Sequence, residues 1–101
     1  MQKDQLKKYL AANCFGRENV MSAAQLGREL HMSKKGLRKQ VNRLRQEGVP
    51  IASDRTGYFY AANAAELYDT VEGLKKLVAG VYRAIWGLEA AMRKFSEGGR
   101  I

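Results

Sequence analysis

Residues 21–50 read MSAAQLGRELHMSKKGLRKQVNRLRQEGVP, and two helix starts stand eleven residues apart in them. Ser22 is placed to cap a helix, with Gln25 three residues on as the second member of a capping box, and Met21 and Leu26 at the two positions of a hydrophobic staple. Ser33 repeats the device, with Met32 before it and Leu37 inside. Leu37, Val41 and Leu44 then mark one buried stripe. Gly48 ends the segment as a left-handed terminal residue, and Pro50 prevents continuation. This predicts one helix from Ala23 to Leu30 and another over 33–47, with only His31 and Met32 between the first and its successor's cap.

That connection is a helix-turn-helix spacing. Downstream, Ile51–Ser53 and Tyr58–Ala61 are rich in strand formers and flank the turn residues Asp54-Arg55-Thr56-Gly57, which predicts a β-hairpin. Upstream, Leu6 and Leu10 lie four apart with Tyr9 beside them, one face of a short first helix that Gly16 breaks. Asn63 opens a last helix, with Glu66 three residues on as another capping pair, running some 30 residues, or ~45 Å.

The stretch 33–45 carries six Lys or Arg and no acid. With Leu37, Val41 and Leu44 turned inward, Lys35, Lys39, Asn42 and Gln46 lie almost opposite, flanked by Arg38 and Arg43. Lys or Arg toward guanine and Asn or Gln toward adenine is the chemistry that reads base edges in the major groove. A charge run is usually only a solvated face. Here Lys34 and Lys35 occupy the first helical turn, where the helix dipole disfavours each by roughly a few tenths of a kcal/mol. Two lysines there oppose folding but suit a phosphate, which the same helix end attracts. Gly36 is also poor for a helix and permits close approach.

The segment AQLGRELHMSKKGLRKQVNRLRQEGVPIASDRTGYFYA resembles the winged helix-turn-helix domain at the N-terminus of biotin-repressor-type bacterial regulators. The resemblance covers most of residues 3–62, and its most specific pieces are LRQEGVPI and TGY. It implies a third helix entering the major groove and a wing touching backbone or minor groove. Ser33, Lys34, Lys35, Arg38, Lys39 and Asn42 become recognition-helix contacts on this basis, and Arg55 the wing contact; Arg43 joins them as a phosphate-positioning cation. The chain departs from the family in having a heptad helix where an effector-binding or catalytic domain would follow, and Gly36 where Thr or Val is commoner.

In that helix Leu67, Val71, Leu74, Val78, Val81, Ile85, Leu88, Met92 and Phe95 follow one another at alternating spacings of four and three. With Val71 at position a, β-branched residues dominate a and leucine dominates d, which favours a parallel two-stranded coil. Leu77, Ala84 and Ala91 widen the stripe at g, and Tyr68 and Tyr82 widen it at e. A trimer, a tetramer or an antiparallel bundle therefore stays open, as does a single helix packed on its own domain. Gly73, Gly80 and Gly87 recur at c, each costing about 1 kcal/mol against alanine. Trp86 falls at b and is expected to pack on another helix rather than on a base.

The fold expected is mainly α with a small β-hairpin: a winged helix-turn-helix over 1–62 and an oligomerisation helix over 63–101. The chain has 101 residues and a formal charge of +8. Residues 1–62 hold 12 Lys/Arg against 5 Asp/Glu, and residues 63–101 hold 6 against 5, so the first part carries nearly all the imbalance. A basic module beside a neutral one suggests nucleic acid more than an anionic membrane. No apolar run reaches the ~20 residues of a membrane span, and the first residues lack the core of a signal peptide. Cys14 is the only cysteine and reads as a small buried hydrophobe; His31 reads as a turn residue. There is no carboxylate pair, nucleophile with histidine, phosphate loop or metal spacing, so no enzymatic activity, cofactor or metal is expected.

The expected partners are double-stranded DNA and a second copy of the chain, in a cytoplasmic, nucleoid-associated setting, with no small-molecule ligand evident. Two such copies would read half-sites about one helical turn, ~34 Å, apart. The main expectation is a dimeric bacterial or phage transcriptional regulator. The alternative is a phage or mobile-element assembly factor for excision, replication or packaging that forms a higher oligomer on DNA. A third possibility is a protein-interaction module that has lost DNA.

Overall fold

The computed structural model describes residues 2–98. It runs α1 (Gln2–Asn13), a 3₁₀ turn (Arg17–Asn19), α2 (Ala23–Leu30), α3 (Lys34–Gln46), β1 (Ile51–Ser53), β2 (Tyr58–Tyr60) and α4 (Ala64–Ser96). The architecture is mainly α with one antiparallel hairpin, as the sequence predicts.

The helix boundaries follow from local capping. Ser22 Oγ accepts the amide of Gln25 at 3.1 Å, and Ser33 Oγ accepts that of Gly36 at 3.0 Å. Each side chain satisfies one of the donors that a helix start leaves free. Between the helices His31 takes φ 55°, the one non-glycine residue with positive φ among those described. That left-handed step lets both His31 and Met32 donate their amides to Gly27 O. The turn brings Met32 O to 2.6 Å from where a Cβ on Gly27 would stand, so the close approach requires a glycine in the middle of α2. Gly48, at φ 88°, ends α3 as expected.

The core is a single cluster shared by α1, α2, α3 and the hairpin. Leu6 and Leu10 of α1, Leu26 of α2, and Leu37, Val41 and Leu44 of α3 meet Ile51, Ala52 and Phe59 of the hairpin, all at most 1 % exposed. Cys14 is fully buried among them, and burial pushes its thiol up, which keeps it in the unreactive form. Gln40, on the inward side of α3, is also buried, and its Oε1 has no hydrogen-bond partner among the described residues.

The hairpin pairs Ile51 with Tyr60, Ala52 with Phe59 and Ser53 with Tyr58. The Asp54 carboxylate shapes its turn by accepting the amides of Thr56 at 2.8 Å and Gly57 at 3.2 Å. The other edge of β2 is occupied as well. Met21 and Tyr58 exchange two backbone hydrogen bonds of 3.0 and 2.9 Å, Tyr60 donates to Cys14 O, and Gly16 donates to Tyr60 O. β2 thus has main-chain partners on both sides, β1 on one and the irregular segment 14–21 on the other, the latter through isolated bridges at Phe15 and Met21.

The chain divides into two compact units between Thr70 and Val71, inside α4 and not at Asn63 where the helix opens. The reason is that the first two turns of α4 belong to the core domain. Glu66 Nα–H donates to Asn63 Oδ1, while the Glu66 carboxylate accepts the amides of Ala62 at 2.7 Å and Arg17 at 3.1 Å. Leu67 packs against the core cluster. Buried Thr70 accepts the Ser53 amide and donates to Ser53 O. Leu67, placed in the oligomerisation seam by its heptad spacing, is therefore a core contact of its own domain. From Val71 onward the large apolar residues are exposed, Leu88 at 67 % and Val71 at 44 %.

Two outcomes follow from this packing. A Cβ on Gly57 would stand 2.0 Å from Met21 O, so Gly57→Ala should part β2 from Met21 and cost about 3 kcal/mol in urea unfolding. The Glu66 carboxyl is held below its ordinary value of 4.5, first by the Ala62 amide and then by that of Arg17. A depressed carboxyl gives stability that is present above its unfolded pKa and lost as pH falls through the folded one. Thermal stability should therefore fall on acidification below about pH 4.5, and Glu66→Gln should flatten that part of the pH profile.

Candidate nucleic-acid interface

α3 supplies the surface, because its buried stripe fixes which residues face out. With Leu37, Gln40, Val41 and Leu44 inside, Lys34, Lys35, Arg38, Lys39, Asn42, Arg43 and Gln46 are all exposed. No acidic residue interrupts them, and none of the five cations is paired with a carboxylate among the described residues. Ser33 sits at the head of this face. Its Oγ accepts the Gly36 amide, which leaves the hydroxyl proton free to be donated outward.

The sixth cation of the stretch has a different task. Arg45 is partly buried and turns toward the hairpin, donating from Nε to Ile51 O at 2.9 Å and from a terminal nitrogen to Ser53 Oγ at 3.1 Å. Burial pulls its guanidinium below its ordinary value, against which Tyr58 works; an arginine remains charged regardless. It fastens the end of α3 to β1 and so fixes the hairpin against the basic helix. Arg55 lies exposed in the turn of that hairpin, held by the Asp54 cap on either side.

The structure thus gathers Ser33, Lys34, Lys35, Arg38, Lys39, Asn42 and Arg43 on one helix face and puts Arg55 on a separate loop. It also adds neighbours that the sequence pattern did not mark. Arg43 borders a groove with Gln2, Lys3 and Gln40, so α1 lines one flank of the basic face. Lys3 is ion-paired with Glu47 just beyond α3, a tie across 44 residues that no local pattern signals. Arg17 stands over the Phe59 ring at 5.6 Å and reaches Asp69 at 3.7 Å, a structural role at the start of α4.

A tight turn, an outward basic helix and a hairpin fastened to it are the parts of a winged helix-turn-helix. Residues 15–59 match the family model of an HTH domain. The match begins in the segment that borders β2 and ends within β2, so it takes in the helix-turn-helix and most of the hairpin while leaving α1 and α4 outside. No curated protein and no solved structure matches the chain. Among the described residues, no helix is long and apolar enough to cross a membrane.

The charge placement has a cost that can be measured. Lys34 and Lys35 lie at the positive end of the α3 dipole with no acidic residue in that turn. Replacing both by Glu should raise the unfolding free energy by about 1 kcal/mol in total, read by thermal or urea denaturation. A decrease would show that the lysines support the fold.

Proposed function

We propose that the chain is a sequence-specific double-stranded DNA-binding regulator of bacterial or phage type that inserts α3 in the major groove and acts as a self-associated pair through α4. One observation carries the DNA reading: an acid-free face of five cations, with no carboxylate partner among the described residues and with Asn42 and Gln46 beside them, directly follows the tight turn of an HTH domain. Lys35, Arg38, Lys39 and Asn42 take base readout, since they occupy the middle of that face. Lys34, Arg43 and Arg55 position phosphates. Ser33 adds a hydroxyl donor beside the helix start, where amides and lysines favour the same anion. Arg55 reaches backbone or minor groove from the wing.

Self-association rests on the exposed seam. From Val71 to Phe95 the a and d residues are two-fifths to two-thirds exposed, a continuous apolar strip of the kind monomers do not leave open. The same breadth favours a second reading, a nucleoprotein assembly factor that stacks more than two copies on DNA. Mass in solution separates the two, because a ring or filament contradicts a simple pair.

The test is a gel-shift titration against a random duplex pool, with selection of the bound sequences. With about six phosphates engaged, log K should fall against log salt with a slope near −5. Lys35→Ala with Arg38→Ala and Lys39→Ala should abolish selection while leaving the fold intact. Unchanged binding by that triple variant would remove α3 from the interface.

A further inference from the structure

The seam leaves open how two copies would meet, and the residues beside it answer the question. Resting on the self-association proposed above, we infer that two copies pair through α4 in antiparallel fashion, about a dyad beside Arg83 and Ala84.

The starting point is that Leu67 is occupied by its own core, so the free seam begins at Val71. Four a positions and four d positions remain, from Val71 to Phe95. In an antiparallel pair each a residue shares a layer with a d residue of the other copy. One register fills every layer with no overhang: Val71 faces Phe95 and Val78 faces Leu88. Between these, Leu74 faces Met92, and next to the dyad Val81 faces Ile85. In the Val71–Phe95 and Val78–Leu88 layers a small residue lies against a large one, which is how facing positions interdigitate without voids. Any other register shifts the copies by a heptad and leaves exposed layers at both ends.

The flanks decide between orientations. In a parallel coil e meets g, whereas in an antiparallel coil e meets e and g meets g; charges at these positions set partner orientation. Here the only charged e residues of the free seam are Lys75 and Glu89, and every g residue from 77 to 91 is apolar. A parallel pair would lay Lys75 and Glu89 against Thr70 and Ala84 and match neither charge. The antiparallel register lays Lys75 of each copy beside Glu89 of the other, twice by symmetry. On the opposite flank Leu77 meets Ala91 and Ala84 meets its own copy, again large against small. The β-branched a residues that favour a parallel coil describe the layers alone; the flanks carry the charge information, and it is satisfied in only one direction.

The consequence is spatial. In a parallel coil the two Val71 residues would be side by side. In the antiparallel one they lie at opposite ends, ~36 Å apart along the axis. Each helix-turn-helix domain then enters the coil from its own end, which suits two separate stretches of duplex better than adjacent half-sites one turn apart.

Two measurements on the full chain test this. Ala84→Cys should form an intermolecular disulfide under mild oxidation, and Ile85→Cys should not, because a parallel coil brings 85 to 85 but holds 84 apart. Cys14 is buried and silent in the parent chain, which serves as the control. In sedimentation equilibrium at low salt, Lys75→Glu or Glu89→Lys alone should weaken pairing about tenfold, two like-charge contacts replacing two opposite ones. Lys75 also pairs with Glu72 on its own helix at 3.3 Å, so the deciding result is that the double exchange restores affinity to within about twofold of the parent. Crosslinking at 85 without crosslinking at 84, with a dimer retained, overturns the orientation and leaves self-association standing. A chain that stays monomeric overturns both, while DNA contact by α3 is judged separately by the gel shift.

Discussion

Met21 and Gly57 meet main chain to main chain, and most of the helix-turn-helix domain depends on that meeting. The Met21 carbonyl lies where any side chain on Gly57 would have to begin. Met21 is also the residue before the Ser22 cap, so the contact sets the start of α2 and the edge of β2 at one junction. From there the chain has few choices. α2 must turn tightly through His31 and Met32 over Gly27, and α3 must lay its apolar stripe on α1 and the sheet. The basic face is outward because the other face is fully spoken for.

The basic helix shows two demands on one element being resolved by position. Folding asks α3 for an apolar inner stripe and a firm attachment to the hairpin, and it gets both from Leu37, Val41, Leu44 and the Arg45 anchor. The DNA contact proposed for α3 asks for positive charge at the front end, where the helix dipole resists it. The domain tolerates that opposition because its stability comes from the core and not from helix propensity.

What was legible in the sequence was local. The caps at Ser22, Ser33 and Asn63, the stop at Gly48 and the Asp54–Gly57 turn each follow from chemistry within four residues, and the structure places them as read. The outward residues of α3 were readable for the same reason, since one stripe of three apolar residues fixes the wheel. What escaped was long-range. Nothing local shows that Cys14–Met21 edges the sheet, that Gln40 is buried, or that Lys3 pairs with Glu47. Nor does the heptad, which continues unbroken across the boundary at Thr70, show that Leu67 packs on the core cluster. Asn63 and Glu66 form the capping pair expected of them, but the Glu66 carboxylate also reaches the amides of Ala62 and Arg17, outside the helix, which no local pattern signals.

The domain's hold on α4 has a bearing on how the tail comes to be helical at all. Beginning a helix is the unfavourable step, because several residues must be fixed before the first bond repays them. A segment carrying Gly73, Gly80 and Gly87 would begin poorly by itself. Here the opening turns at Ala64–Thr70 are already immobilised by Asn63, Leu67 and the Ser53–Thr70 exchange. The tail therefore inherits a ready-made nucleus and has only to propagate outward, so the folded domain acts as a template on which an otherwise hesitant sequence is wound.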